Sequence, residues 1–580
     1  MRRRPGRGRN ARVVVVGALL ILGWFGLGYR LFQVQALEAD VYASDGVDQR
    51  VRHEDLPADR GTIYDRDGVE LAVTVDSVTI IANPSQIQDA GEAARVLSSV
   101  VGVDPEVLRE RLSGDGQFAY VVRGLDQARG EQVAELVERF GFTGITLDTE
   151  PKRMYPAGPL AAQLVGFVRA DTQDGLEGLE AALDEELTGV PGRQIVERDQ
   201  YGTPIPQADY LIEPAVAGSD VILTIDRGIQ FAAEESLAAG LERTNAIAGT
   251  IVVLDVDSGE VLAMANAPGF DPNNRRGLSA DSFRNRAVSD VYEPGSTLKV
   301  VTIAAALDQG LVAPSTTFEV PAELTVHDKT YTDVGRKQSE PMSVAEIVAR
   351  SSNIGTIMVQ DLLGNKRHFD YLKRFGLGAV TGTGLPVEAS GSLHPVATWC
   401  ETTCGPSTAI GYRVDVTPLQ MAAVFAAIAN DGVWVEPHVV REIVNVDGNV
   451  TSPDRVERPV MSSRTAETMR RLLEGVVEVG TGQRAAVEGY AVGGKTGTTE
   501  KLIPGVGYSP TDRIASFIGI APIDNPQIVV AVVLDSPHGE IQVGDGEPDK
   551  LEFGGVSAAP MFAEVVEATL HQLGVVPNGG

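Results

Sequence analysis

From Val13 to Tyr29 the chain has no charged side chain and is apolar at most positions, a run of seventeen residues. That is the short limit for a helix crossing a bilayer. Leu31, Phe32 and Val34 extend it if Arg30 snorkels to the interface. No later stretch is apolar enough to cross again. Val78–Ala82 reads as a strand, and residues 86–145 carry Ala-, Glu- and Leu-rich helical patterns. Val221–Asp226 is strand-like, and a helix is expected from Gln230 to Leu241. Thr250–Asp255 and Val261–Ala265 flank the turn Asp257-Ser258-Gly259 and predict a β-hairpin. After the breaker pair Pro294-Gly295 comes Ser296-Thr297-Leu298-Lys299, then Val300, Val301, Ile303, Ala304, Ala305, Ala306 and Leu307. Apolar residues on nearly every side predict a buried helix that begins at or just after Ser296. Strand-like runs return at Gly489–Gly493, Ile514–Ile520 and Ile528–Leu534, with a closing helix from Pro560 to Leu573. A hairpin early, helices between and strands late predict one antiparallel sheet flanked by helices.

Charge adds direction to this outline. Arg2, Arg3, Arg4, Arg7, Arg9 and Arg12 precede the first apolar run. The basic cluster is expected to stay in the cytoplasm, leaving everything after residue 35 outside. The alternative is a cleaved signal peptide, with a faint small-residue site at Val34-Gln35-Ala36. The 580 residues carry a formal net charge of −30, which argues against nucleic acid as a partner. A Pro-containing connector from Pro204 to Pro214 puts a domain boundary near residue 218. The region before it is mixed α/β, holds no concentration of catalytic residue types, and reads as a spacer that lifts the second domain off the membrane.

The two cysteines are Cys400 and Cys404. Export permits a disulfide, and an i, i+4 pair comes within bridging distance if the backbone turns there. Two free thiols are the alternative. No His or further Cys follows at ligand spacing, so no metal site is expected, and no cofactor.

Three short patterns carry chemistry: S-x-x-K at Ser296–Lys299, S-x-N at Ser351-Ser352-Asn353, and K-T-G-T at Lys495-Thr496-Gly497-Thr498. Each alone has a bland reading as a helix cap, a helix start or a strand end. In this order and context they indicate a serine nucleophile with a lysine base. A serine hydroxyl needs a base to take its proton. Only a neutral lysine does so, so Lys299 must have a lowered pKa, and burial at the helix start and a second cation, Lys495, would both push it down. Arginine could not substitute, and the chain has 49 Lys and Arg together, of which nine are Lys. Scarce lysines at both motif positions therefore support the reading. Ser351 could pass a proton toward a leaving amine, and Asn353 could orient Lys299 and a substrate amide. Lys495, Thr496 and Thr498 offer a cation and hydroxyls to a substrate carboxylate. The backbone N–H groups of Ser296 and Thr498 would form an oxyanion hole.

With these motifs the chain resembles a class B penicillin-binding protein, a peptidoglycan D,D-transpeptidase, over nearly its whole length. Arg60-Gly61-Thr62-Ile63-Tyr64-Asp65-Arg66, Asp67-Gly68, Arg153, Tyr155-Pro156, Gly166 and Gly175-Leu176-Glu177-Gly178 match motifs of that family's pedestal domain. Phe375–Gly378, Thr417–Gln420, Gly489-Tyr490 and Gly494–Thr498 match its catalytic domain. No glycosyltransferase domain stands between anchor and pedestal, unlike class A. Gly480-Thr481-Gly482, Ala515–Gly519 and Ala521-Pro522 are most similar to the division-type (FtsI-like, septal) branch, with the elongation type as alternative. Cys400–Cys404, and Asp431-Gly432 in place of a frequent pair of glycines, depart from the pattern without touching the three motifs.

The resemblance implies an α+β protein in four parts. These are a basic cytoplasmic tail (1–12), a transmembrane anchor (13–34), a mixed α/β pedestal or dimerisation domain (35–218), and a penicillin-binding transpeptidase domain (219–580). It implies Ser296, Lys299, Ser351, Asn353 and Lys495 as catalytic residues and Thr496, Gly497 and Thr498 as substrate-binding ones. Peptidoglycan stem peptides are the implied substrates and β-lactams the covalent inhibitors, with a membrane glycosyltransferase and division proteins as partners. Competing readings are a β-lactamase or D,D-carboxypeptidase on the same scaffold, or a non-catalytic β-lactam sensor or scaffold.

Overall fold

The computed structural model describes residues 7–42, 51–114, 116–197, 210–542 and 547–577. Arg2, Arg3 and Arg4 and most of the connector after Pro204 lie outside the described residues. The chain divides into two compact units, one of residues 1–58 and 189–217, the other of 59–188 and 218–580. The first contains the helix Arg7–Phe32, which continues through a π-helical turn to Leu37. Within it Ala11–Leu37 is long and apolar enough to cross a membrane, and none of its most apolar window is buried in protein. The same unit has a three-stranded antiparallel sheet of Val51–Leu56, Gly192–Glu197 and Tyr210–Glu213.

The second unit holds the sheet that organises the rest. We label the helix Arg227–Thr244 α1 and the hairpin strands Ala248–Asp255 β1 and Val261–Ala267 β2. The helices Lys299–Asp308, Asn353–Leu363, Cys404–Ala409 and Pro418–Ala429 are α2 to α5. Strands Gly493–Ile503, Gly507–Ala521 and Ile528–Asp535 are β3, β4 and β5, and the last helix, Gly554–Gln572, is α6. Five strands pair in the order β2-β1-β5-β4-β3, antiparallel throughout. Successive side chains on a strand point to opposite faces, and here both faces are covered. Ile251, Val253, Val530 and Val532 pack with Leu237 of α1 and Met561, Phe562 and Val565 of α6. Val252, Leu254, Val529 and Ala531 join the larger core around α2 and α5. That is why these strands read as unbroken apolar runs. It is also why α2 and α5, sealed between sheet and further helices, are buried along nearly their whole length.

Several boundaries differ from expectation: β4 opens at Gly507, seven residues before the expected Ile514, and α1 runs from Arg227 to Thr244 rather than from Gln230 to Leu241. Val78–Ala82 is the end of a longer strand, Glu70–Ala82. The expected strand Gly489–Gly493 is a turn closed by a bridge from Val487 to Tyr490, and β3 starts only at Gly493. K-T-G-T therefore lies inside an edge strand rather than after one. The closing helix starts at Gly554, six residues before the expected Pro560, which sits inside it. Gly554 and Gly555 obscure that start because both are poor helix formers. They are required by contact, since a Cβ on Gly554 would stand 2.1 Å from the Ser516 carbonyl oxygen and one on Gly555 2.3 Å from that of Thr481.

The residues on either side of 218 share a second sheet. Asp220–Leu223 runs parallel to Ile63–Tyr64 on one side and antiparallel to Val440–Val444 on the other. Beside it Arg60 and Arg153 bind the two carboxylate oxygens of buried Glu180 at 2.6 and 2.7 Å. Gly166 and Gly178 touch backbone to backbone: a Cβ on Gly178 would lie 2.5 Å from the Gly166 nitrogen.

Candidate functional site

Gly295–Leu298 forms a single 3-10 turn, and α2 opens at Lys299. Gly295 has φ +54, and its missing side chain leaves room for Thr499 of β3, whose methyl a Cβ would meet at 2.3 Å. The turn thus lies directly on the edge strand. Ser296, half-buried, faces a cleft of about 560 Å³ lined by Ser351, Asn353, Thr496 and Thr498, with Ile410, Tyr412, Phe553 and Val556 around them. Ser351, the partner that Lys299 and Lys495 share, lies 52 and 144 residues from them in the chain.

Lys299 is 3% exposed. Its Nζ donates to the Ser351 carbonyl oxygen at 2.6 Å, to Asn353 Oδ1 at 2.7 Å and to Ser351 Oγ at 3.3 Å. Lys495, 1% exposed, donates to the same Ser351 Oγ at 2.8 Å and to the Thr496 carbonyl at 3.2 Å. Two lysine amines thus converge on one hydroxyl. Burial brings the Lys299 pKa down to about 7 from its ordinary 10.5, against an opposing pull from Asp333. Burial also pushes Lys495 well down, and the charge on Lys299 adds to this. Burial is what lowers Lys299; Lys495, expected to add to this, is not among the groups that act on it. No hydrogen bond joins Ser296 Oγ to Lys299 among the described residues. Such contacts often tighten only when substrate is bound.

S-x-N is built as a helix start. Ser352 caps α3 by accepting from the Gly355 N–H at 2.9 Å. Ser351 just before it has φ +57 and turns both its carbonyl and its hydroxyl toward Lys299. K-T-G-T lies on β3, the edge of the sheet, where alternate N–H groups have no neighbouring strand to bond. Gly497 allows the close approach: a Cβ there would be 2.4 Å from Ser516 Oγ, 3.0 Å from the Thr297 methyl and 3.1 Å from the Pro294 carbonyl oxygen. Thr498 Oγ1 accepts from the Gly554 N–H at the start of α6. Thr496 exchanges a hydrogen bond with Thr481 at 2.8 Å. All eight expected site residues therefore stand in or immediately beside this cleft.

Two carboxylates that sequence reasoning missed fix its walls. Asp333 Oδ1 accepts from the N–H groups of Asn353 and Ile354 at 2.6 and 3.1 Å. Its Oδ2 accepts from Ser352 Oγ at 2.6 Å and from Arg336 at 2.8 Å. Burial raises its pKa, but these donors outweigh that and hold the carboxyl below its usual value. Glu293, three residues before Ser296, is buried behind the nucleophile's turn. Cys400 and Cys404 are joined as a disulfide at the N-terminus of α4, the short helix that leads to Ile410 and Tyr412. Among the described residues no cluster of three or more His, Cys, Asp or Glu is placed to hold a metal ion.

An antiparallel sheet between helices, with S-x-x-K, S-x-N and K-T-G meeting in one cleft, defines the class of active-site serine proteins that recognise penicillins. Comparison with known proteins agrees. The penicillin binding protein transpeptidase domain family matches residues 249–567, and the penicillin-binding protein dimerisation domain matches residues 55–223. The chain belongs to the penicillin-binding protein transpeptidase family. It is 33% identical to penicillin-binding protein PbpB of Mycolicibacterium smegmatis, over 99% of this chain and 92% of that protein. It is 31% identical to peptidoglycan D,D-transpeptidase FtsI of Escherichia coli, over 97% of this chain and 92% of that one. The crystal structure of penicillin binding protein 3 from Mycobacterium tuberculosis complexed with aztreonam superposes with a TM-score of 0.71. It is 31% identical and covers 91% of this chain and 98% of its own.

Proposed function

We propose that this chain is a membrane-anchored peptidoglycan D,D-transpeptidase that acylates Ser296 with a stem peptide and is inhibited by β-lactams. The observation that carries the reading is the convergence of Lys299 and Lys495 on Ser351 beside Ser296, with Asn353 accepting from Lys299. In its neutral form Lys299 takes the proton of Ser296 Oγ as that oxygen attacks the carbonyl between the two terminal D-alanines. The oxyanion meets the N–H groups of Ser296 and Thr498, a contact of which each donor contributes about 3 kcal/mol to the transition state. The proton passes by Ser351 Oγ to the leaving D-alanine amine. Lys495, Thr496 and Thr498 hold the terminal carboxylate, with Gly497 keeping the strand close. An amine of a neighbouring stem then attacks the acyl-enzyme and forms the cross-link. The relatives named D,D-transpeptidase FtsI and the aztreonam complex support both the reaction and the inhibition.

On this reading residues 1–12 are the cytoplasmic tail, 13–34 the anchor, 35–218 the pedestal and 219–580 the transpeptidase domain, outside the membrane. The similarity to FtsI favours a septal role with a membrane glycosyltransferase and division proteins as partners. The test is labelling with a fluorescent penicillin. Ser296→Ala is expected to abolish it, and undiminished labelling of that variant would overturn the assignment. Midcell localisation of a tagged copy is expected, and lateral-wall localisation would reassign it to elongation.

A further inference from the structure

We propose that Glu293 is a positioning residue for the nucleophile, a buried clamp that ties the Ser296 turn to the loop carrying Tyr412 and to strand β4. The inference rests on the transpeptidase reading of Ser296. Glu293 is 7% exposed although it is a carboxylate, and such a group is retained only where it is fully bonded. Its Oε1 accepts from the Arg413 N–H at 2.7 Å, and the Tyr508 hydroxyl donates to Oε1 and Oε2 at 3.0 and 2.9 Å. Its own carbonyl accepts from Thr499 Oγ1 of β3 at 2.9 Å. One residue therefore bonds to the 411–413 loop, to β4 and to β3.

What the clamp holds is the backbone of Ser296. Gly295 N–H donates to the Gly411 carbonyl at 3.1 Å, and Tyr292 and Val416 exchange a pair of backbone bonds at 3.0 and 2.9 Å. Gly411 has φ +82, and a Cβ on it would lie 2.1 Å from the Gly295 carbonyl oxygen. The loop is thus pressed against the residue before the nucleophile. Arg413, a non-glycine residue, has φ +66, a conformation that persists only when its surroundings enforce it. The bond from its N–H to Glu293 is one such enforcement. Between Gly411 and Arg413 stands Tyr412, which lines the cleft and meets the Tyr508 ring edge-on at 6.1 Å. Lys329 above the Tyr412 ring and Asp415 are the charged groups that bear on the Glu293 carboxyl, which is raised by burial. An alanine here leaves the Arg413 N–H and Tyr508 hydroxyl unmatched and frees the loop that buttresses Gly295. Moving the Ser296 N–H by a fraction of an ångström would weaken transition-state binding more than ground-state binding.

The experiment uses the full chain in detergent micelles and a chromogenic cephalosporin. Stopped-flow separates non-covalent affinity (Ks) from the acylation step (k2), normalised to the titratable fraction. Glu293→Ala is expected to lower k2 by about 10²-fold with Ks nearly unchanged. Glu293→Gln, whose amide oxygen still accepts from Arg413 and whose amide donates to the Tyr508 oxygen, is expected to recover most of k2, and Tyr508→Phe to fall between. A k2 for Glu293→Ala equal to the parent's, or a loss carried wholly by Ks, overturns the proposal. Hydrogen exchange supplies a test independent of catalysis. The amides of Gly295 and Arg413 should exchange faster in Glu293→Ala than in the parent, and unchanged protection overturns the clamp. If the parent itself is not acylated, the transpeptidase reading fails while the clamp still stands or falls by exchange.

Discussion

The buried lysine pair sets the pH at which the nucleophile can be activated. Lys299 is brought down to about 7 by burial, so below that pH the fraction able to accept the Ser296 proton falls about tenfold per unit. At pH 5, two units below the midpoint, removing the proton first costs about 2.7 kcal/mol. Lys495 donates to the same Ser351 Oγ as Lys299. Once one lysine is neutral the other loses its nearest like charge and holds its own proton to higher pH. The pair therefore has a working window in which one lysine is a base and the other a cation for the substrate carboxylate. The assay is the second-order rate of acylation by a fluorescent penicillin from pH 5 to 10, with full-length protein in detergent. The expected profile is a bell. Its rising limb has unit slope and a midpoint near 7, and its falling limb follows loss of the second proton. Lys299→Arg, which keeps the charge and cannot release it, should lose about 10³-fold across the range. A flat profile from pH 5.5 to 8, a rising midpoint near the ordinary lysine value, or a Lys299→Arg rate within tenfold of the parent would refute the reasoning.

Asp333→Asn leaves Arg336, 7% exposed, without its close carboxylate. It should lower stability by about 3 kcal/mol in denaturant titrations. It also removes the one charge that pulls the Lys299 pKa upward, so the rising limb of the acylation profile should move to lower pH. Lys299→Met should stabilise the fold most at acid pH. Native Lys299 is held at about 7 against 10.5, a cost of about 5 kcal/mol that is full below the lower value and fades as pH rises toward the higher. Loss of the donor to Asn353 and Ser351 reduces the gain to about 1–3 kcal/mol at pH 6. Thermal midpoints of parent and variant at pH 6 and 9.5 check it, and an equal difference at both would contradict the burial cost. Gly497→Ala places a methyl 2.4 Å from Ser516 Oγ and against the Ser296 turn. It should cost about 1–3 kcal/mol, read as a lower melting temperature, and should slow penicillin labelling of the folded fraction.

The hairpin β1–β2, the buried helix after Leu298 and the three motifs were legible because each is carried by local pattern. Asp333 and Glu293 were not. Asp333 lies between short strands, and its importance comes from donors 19 to 21 residues downstream. Glu293 belongs to none of the three motifs. Its partners Arg413 and Tyr508 are 120 and 215 residues away. The starts of β3 and α6 were misplaced for a related reason. Gly493, Gly554 and Gly555 are dictated by close backbone contacts across the fold and Gly494 by the Phe517 ring, and those contacts override the local propensity on which a boundary is judged. Val221–Asp226 was legible as strand-like, but its pairing with Ile63–Tyr64 and Val440–Val444 was not, because no local pattern specifies the partner of a short strand.

Ser351 explains why the middle motif begins with this residue type. At φ +57 a glycine would be the less strained choice, and a non-glycine residue there costs about 1 kcal/mol or more. That backbone lets the carbonyl of Ser351 accept from Lys299 at 2.6 Å while its hydroxyl lies between Lys299 and Lys495. A relaxed extended backbone at Ser351 could not turn both groups inward and still hand the chain to Ser352 as the cap of α3. The strain is held from both sides, by the Ser351 N–H on the Val348 carbonyl and by Asp333 on the next three residues. Glycine would relieve it but remove the hydroxyl on which the two lysines meet. The conformation and the residue type are thus required together, at the position in the cleft where the three motifs touch.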